Sequence, residues 1–162
     1  MSRDQFEAIV IRNFLNAETM SRYLKVDVSV IEAWINDQAA IPDAAIMLLM
    51  QLDSLLSQAC EHVIQTARSQ STATMPLSTI PIITYLTESD FQIYCEDAQI
   101  LGSVGIHQGF VMRVISELRH LGFNAYRVPF DQHQYLSWLQ SEGYINSSAS
   151  RLLWAAEQRF DN

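Results

Sequence analysis

Residues 15–42 read LNAETMSRYLKVDVSVIEAWINDQAAIP. Apolar or small residues fall at Met20, Ser21, Leu24, Val26, Ile31 and Trp34. That is the spacing of two short helices crossing through a tight turn. Ser21 is small enough to sit where the helices touch. Leu24 and Val26 bracket the turn, and Ile31 and Trp34 lock the second helix. Asn16 can open the first helix, and Asp27 or Ser29 the second. Pro42 stands where a following helix prefers proline, at its first turn.

Working outward, Phe6, Ile9, Val10 and Phe14 predict an earlier helix, capped by Ser2 or Asp4. Downstream, a helix runs from Pro42 to about Arg68, striped by Leu49, Leu52, Leu56, Ala59 and Val63. The stripe suits a helix seam, either within the chain or against a second copy. Two heptads are too few to claim a coiled coil. Residues 1–68 therefore read as an all-helical domain built on a helix-turn-helix. Residues 69–80, SQSTATMPLSTI, lack charge and apolar period and read as a linker.

Beyond the linker the periods mix. Ile82, Ile83, Tyr85 and Leu86 suggest a short strand. Thr87 to Asp90 offer caps for a short helix bearing Phe91 and Tyr94, although Phe91, Ile93 and Cys95 also alternate as a strand would. A helix spans Ile106 to Leu121 and stops at Gly122. Tyr126, Val128 and Phe130 read as a second strand. Asp131 caps a helix with Tyr135, Leu136, Trp138 and Leu139, and Ser147 or Ser148 caps a last one with Leu152, Leu153, Ala156 and Phe160. Two strands flanking a helical crossover imply parallel pairing. The expected fold is mainly α, with a small α+β domain over 81–162 in which helices surround a short sheet. Two strands make a poor sheet alone. The many aromatics (Tyr85, Phe91, Tyr94, Tyr126, Phe130, Trp138, Trp154) suggest that a second copy completes the core, so a homodimer is expected.

The 162-residue chain carries 10 basic and 18 acidic side chains, a net charge of −8, with 49% hydrophobic residues. It can bury a core. The longest apolar run, Ala44 to Met50, is too short to cross a bilayer, which needs about 20 residues, so no membrane partner is expected. The N-terminal sequence has no signal-peptide pattern, and Cys60 and Cys95 read as reduced thiols in a cytosol. No GxSxG, HExxH, CxxC or phosphate-cradling glycine pattern occurs. His107 and His120 lie about 20 Å apart along one helix, too far to share a metal ion. An enzyme, a metal and a cofactor are therefore not expected.

Residues 15–42 resemble the helix-turn-helix of the phage-repressor and Cro-like family, through Leu15, Asn16, Met20, Ser21, Leu24, Lys25, Val26, Asp27, Ile31, Trp34, Asn36, Asp37 and Pro42. The whole chain resembles the YdiL-like family, which includes anti-CRISPR-associated repressors. That likeness rests on Asp90-Phe91, His107 with Arg113, Gly122, Arg127 to Phe130, Tyr135, Trp138-Leu139, Ser150 and Trp154. It implies a cytoplasmic, homodimeric, sequence-specific regulator of transcription, most simply a repressor, with residues 81–162 as the dimerisation domain. Double-stranded DNA would be the partner. Ser29 and Glu32 would read base edges, Val28 or Ala33 would touch a thymine methyl, and Ala17 opens the first helix of the pair. Arg22, Lys25 and Asn36 would hold phosphates. Charge opposes this: residues 15–42 hold Arg22 and Lys25 against Glu18, Asp27, Glu32 and Asp37. The alternative is a non-catalytic protein-interaction module that keeps the helix-turn-helix frame and has lost DNA binding.

Overall fold

A computed structural model describes residues 3–70 and 79–158 of the chain. Among them four helices come first: α1 (Arg3–Arg12), α2 (Ala17–Leu24), α3 (Val28–Ile35) and the long α4 (Asp43–Gln70). Strand β1 (Thr79–Thr84) leads into α5 (Glu88–Tyr94), α6 (Ala98–Leu101) and α7 (Val104–His120). Strand β2 (Asn124–Pro129), α8 (Gln132–Glu142) and α9 (Ser148–Glu157) complete the order. The protein is mainly α with a small α+β part, as its sequence pattern predicts.

Short polar side chains start these helices by answering backbone N–H groups that have no partner inside the helix. Asn16 accepts from Thr19 N–H at 2.8 Å, Asp27 from Ser29 N–H at 2.9 Å, and Asp131 from Gln134 N–H at 2.9 Å. Thr87 accepts from Asp90 N–H at 3.1 Å. Its helix excludes the alternative strand through Phe91, Ile93 and Cys95. Ser147 and Ser150 form a reciprocal capping box at α9. The one-turn helix α6 was not anticipated; its four residues are too few to show a period.

β1 and β2 pair in parallel, from Thr79 opposite Asn124 to Thr84 opposite Pro129. The connection through α5, α6 and α7 supplies the length that a parallel return requires. The segment read as a linker, 69–80, is trimmed at both ends: α4 continues to Gln70, and β1 already begins at Thr79. Its centre, with Pro76, lies outside the described residues.

The two parts share one apolar core. A single cluster runs from Phe6, Met20, Ile31, Trp34 and Leu49 to Tyr85, Phe91, Phe130, Tyr135 and Trp154. A second joins Cys60 and Ile64 of α4 to Val111, Val114, Ile115 and Leu118 of α7 and to Ala125 of β2. Leu49, Leu52 and Leu56 are buried as expected, but farther along the buried residues are Cys60 and Ile64, while Ala59 and Val63 are half-buried. The seam drifts by one position because a 3.6-residue turn slips against a seven-residue repeat. It packs within the chain.

Two expectations about surfaces are corrected. Tyr85, Phe91, Tyr94, Phe130 and Trp154 are buried by their own chain and by each other, with ring centroids 4.8–6.3 Å apart. They are therefore not a surface that awaits a partner. On α9, Leu152, Leu153 and Ala156 face outward, and the helix instead buries Ser150, Arg151, Trp154 and Ala155. Phe160 lies outside the described residues. Among those residues, no helix is long and apolar enough to cross a membrane.

Candidate nucleic-acid interface

Eight residues make α2, eight make α3, and Lys25, Val26 and Asp27 join them. The turn is tight because Lys25 takes a left-handed backbone (φ 57°) and both Lys25 N–H and Val26 N–H bond to Ser21 C=O. Met20, Leu24, Ile31 and Trp34 are buried, which fixes the two helices against α1 and α4. These four belong to the set that the spacing of residues 15–42 predicts; Ser21 and Val26, also in that set, are half-buried, and Thr19 is buried besides.

The predicted contact residues divide into two groups. A shallow groove of about 570 Å³ separates the start of α2 from the start of α3. Ala17, Arg22, Val28 and Glu32 line it, with Asn16, Glu18 and Ser21. Lys25, Ser29, Ala33 and Asn36 lie outside that lining. Arg22, Lys25, Ser29, Glu32 and Asn36 are exposed, whereas Ala17, Val28 and Ala33 are half-buried. α3 therefore presents an outward face between its two buried anchors, Ile31 and Trp34.

The electrostatics of this face are acidic. Ser29 Oγ donates to Asp27 Oδ1 at 2.6 Å, and Ser29 N–H donates to the same oxygen. These bonds, the hydroxyl first and the amide second, hold the Asp27 carboxyl below its usual range. Asp27 stays ionised at the start of α3, and the Ser29 hydroxyl keeps its lone pairs free to accept. A third cation stands nearby but is engaged. Arg3 of α1 donates to the terminal carbonyls of α3, at Trp34 and Ile35, and lies 3.5 Å from Asp37. An arginine at a helix C-terminus complements the negative end of its dipole. Pairing between residues 31 and 32 positions apart leaves no periodic signal in the sequence.

Sequence reasoning also missed the support behind α2. Gly105, Gly109 and Arg113 recur every four residues on one face of α7, against the corner between α1 and α2. A Cβ at Gly105 would come within 2.6 Å of Thr19 Oγ1, and one at Gly109 within 2.3 Å of the Asn13 carbonyl oxygen. At Gly109, where the obstacle is backbone, glycine is required for the approach; at Gly105 the obstacle is a side chain. Arg113 Nη1 donates to Asn13 Oδ1 at 2.7 Å, and Nη2 to Ser57 Oγ at 2.9 Å. Asn13 in turn donates to Asp53 Oδ1 at 2.8 Å. Asn13 and Arg113 are buried, so these bonds are what makes the polar junction tolerable. Thr19, the third residue of α2, is the point at which α7 touches the α2–turn–α3 unit.

Other reactive groups are occupied structurally. Burial pushes the Cys60 and Cys95 thiols up, away from thiolate chemistry. His107 is buried against the Tyr85 and Phe91 rings, and its Nε2 accepts from Tyr85 N–H at 3.4 Å. Burial lowers its pKa to about 4. Glu88 accepts from Val104 N–H at the start of α7, and Glu96 lies 3.6 Å from Arg151. No protein-family model and no curated protein matches this chain.

Proposed function

We propose that the protein is a sequence-specific DNA-binding regulator of transcription that acts as a homodimer in the cytoplasm. The observation that carries this reading is the α2–turn–α3 unit, with α3 projecting an exposed face from a buried pair of anchors. An α-helix fits the major groove, and the side chains on its outer face then meet base edges. Glu32 accepts from a cytosine N4 amino group, and Ser29, whose hydroxyl proton is held by Asp27, offers an acceptor to the same kind of donor. Val28 or Ala33 packs on a thymine methyl. Arg22, Lys25 and Asn36 contact phosphates. Two cations per copy release few counterions, so non-specific affinity is low and specificity rests on base edges.

The reading is tested by selecting duplexes from a random pool with the full-length protein at low salt. A two-fold symmetric site should be enriched, and Lys25→Ala should weaken binding to selected and random duplexes alike. A second reading, a protein-interaction module on the same frame, is favoured by the four carboxylates around two cations on this face. A pool from which no sequence is enriched sinks the regulator and leaves that module.

A further inference from the structure

Helix α9 carries a feature that the described residues do not cover. Ala149, Leu152, Leu153 and Ala156 are all exposed, Leu152 to 56% and Leu153 to 49%. At 3.6 residues per turn they fall within about 100° of one another. Ser150, Arg151, Trp154 and Ala155 occupy the opposite side and are buried. The outward stripe is therefore apolar along its length, where a surface helix normally turns its polar side to water.

Two properties of this stripe select its occupant. It is palindromic: A-x-x-L-L-x-x-A reads the same in both directions about the point between Leu152 and Leu153. A two-fold contact needs one patch that complements itself when reversed. It is also free of charge in a chain of net charge −8, which repels its own copies over the rest of its surface. α9 has two charged residues. Arg151 turns inward to Asn146 Oδ1 at 2.8 Å and to Glu96, and Glu157 accepts from Trp138 Nε1 at 2.7 Å.

We infer that α9 pairs with α9 of a second copy, antiparallel, across a two-fold axis passing between Leu152 and Leu153. Leu152 then packs on Leu153 of the partner subunit, and Ala149 lies opposite Ala156 of the partner subunit. The alanines flanking the leucines let the two helices approach closely at both ends of the seam. One helical stripe covers less than the roughly 800 Å² per partner of a standard interface, so pairing is expected at micromolar concentration. The inference rests on the homodimer of the proposed function and names its contact: a monomeric wild type fails both, whereas a dimer that survives Leu153→Glu or lacks the 149-to-156 links fails this contact alone.

Sedimentation of the full chain tests it. The wild type should reach twice its 18.5 kDa at tens of micromolar. Leu153→Glu, at an exposed position, should stay monomeric at concentrations at least tenfold higher. Met47→Glu, at an exposed apolar position on α4, should associate as the wild type does. Orientation is read by oxidising a mixture of Ala149→Cys and Ala156→Cys chains and mapping the linked peptides. The antiparallel seam predicts 149-to-156 links in excess of 149-to-149 links. A monomeric wild type, a Leu153→Glu dimer, or an excess of 149-to-149 links overturns the proposal. If Leu153→Glu fails to fold, the linkage pattern decides alone.

Discussion

Gly109 shows how one absent side chain sets the position of an element. Its Cα lies so close to the Asn13 carbonyl that a Cβ would arrive at 2.3 Å, against backbone that cannot rotate away. Gly109→Ala is expected to destabilise the fold by about 1–3 kcal/mol, despite the helix propensity that alanine adds. Gly105→Ala should cost less, since the obstruction there is the Thr19 side chain. Urea midpoints measure both; a midpoint that rises in Gly109→Ala contradicts the close approach. His107 makes a second residue-scale prediction. Burial holds it neutral, with a pKa of about 4 against an ordinary 6.5. As pH falls through 6.5 the unfolded chain takes up a proton that the folded chain refuses until about pH 4. This group contributes no pH dependence above 6.5 and removes about 3 kcal/mol of stability by pH 4. Between pH 7 and pH 4.5 the wild type should lose about 2–3 kcal/mol of unfolding free energy that His107→Phe keeps. A difference that stays the same at both pH values would show that His107 takes up its proton as readily folded as unfolded, and would contradict its burial as a neutral ring.

Among the elements, α2 and α3 were legible because local signals agree: a cap, a period and a turn, all between Asn16 and Asn36. Asn16→Ala should cost about 1 kcal/mol, since it strips the Thr19 amide of its acceptor. Thermal melts follow that loss, and an unchanged melt would mean water replaces the cap without cost. Both strands and their parallel pairing were also legible, the first from a short apolar run and the second from alternation, on either side of a helical crossover; β1 starts earlier than that run and ends at Thr84, leaving Tyr85 and Leu86 beyond it. The helix α9 was legible as a helix but not in its orientation. Its four most apolar neighbours suggest an inward face, yet Trp154 and the polar pair Ser150 and Arg151 win the interior. Trp154 packs on Phe130 and Tyr135, and Ser150 reaches the Tyr135 hydroxyl at 2.9 Å. Burial of a tryptophan with bonded polar neighbours outweighs two leucines left in water. Periodicity weighs residues one by one and cannot anticipate such a network. For the same reason the α7 face of Gly105, Gly109 and Arg113 stayed hidden, because its partners are Asn13, Thr19 and Ser57, far away in sequence.

Across the whole molecule, α7 connects the sheet to the α2–turn–α3 unit. It packs on α4 through Val111, Val114, Ile115 and Leu118, and on the α1–α2 corner through its glycines. Residues 1–70 expressed alone would leave Cys60 and Ile64 without that cover. The fragment is therefore expected to keep helical content and to lose the sharp, cooperative melt of the full chain. A fragment melt as sharp as the parent's would show that the shared core adds little. The candidate interface was legible in the sequence as a set of residues, but not as a groove that gathers Ala17, Arg22, Val28 and Glu32 and leaves Lys25, Ser29, Ala33 and Asn36 on its flanks. Charge decides how that face can act. Glu32→Lys replaces the acceptor proposed to read a base with a cation, so it should raise affinity for random duplex, steepen its salt dependence, and erase preference for the selected site. The most direct test of the central claim is the ratio of affinities for the selected palindromic duplex and a scrambled duplex of equal composition, measured at low salt on the full-length wild type. The account predicts a ratio of about 10³ or more, the lower end for specific DNA-binding proteins. A ratio near one would contradict it.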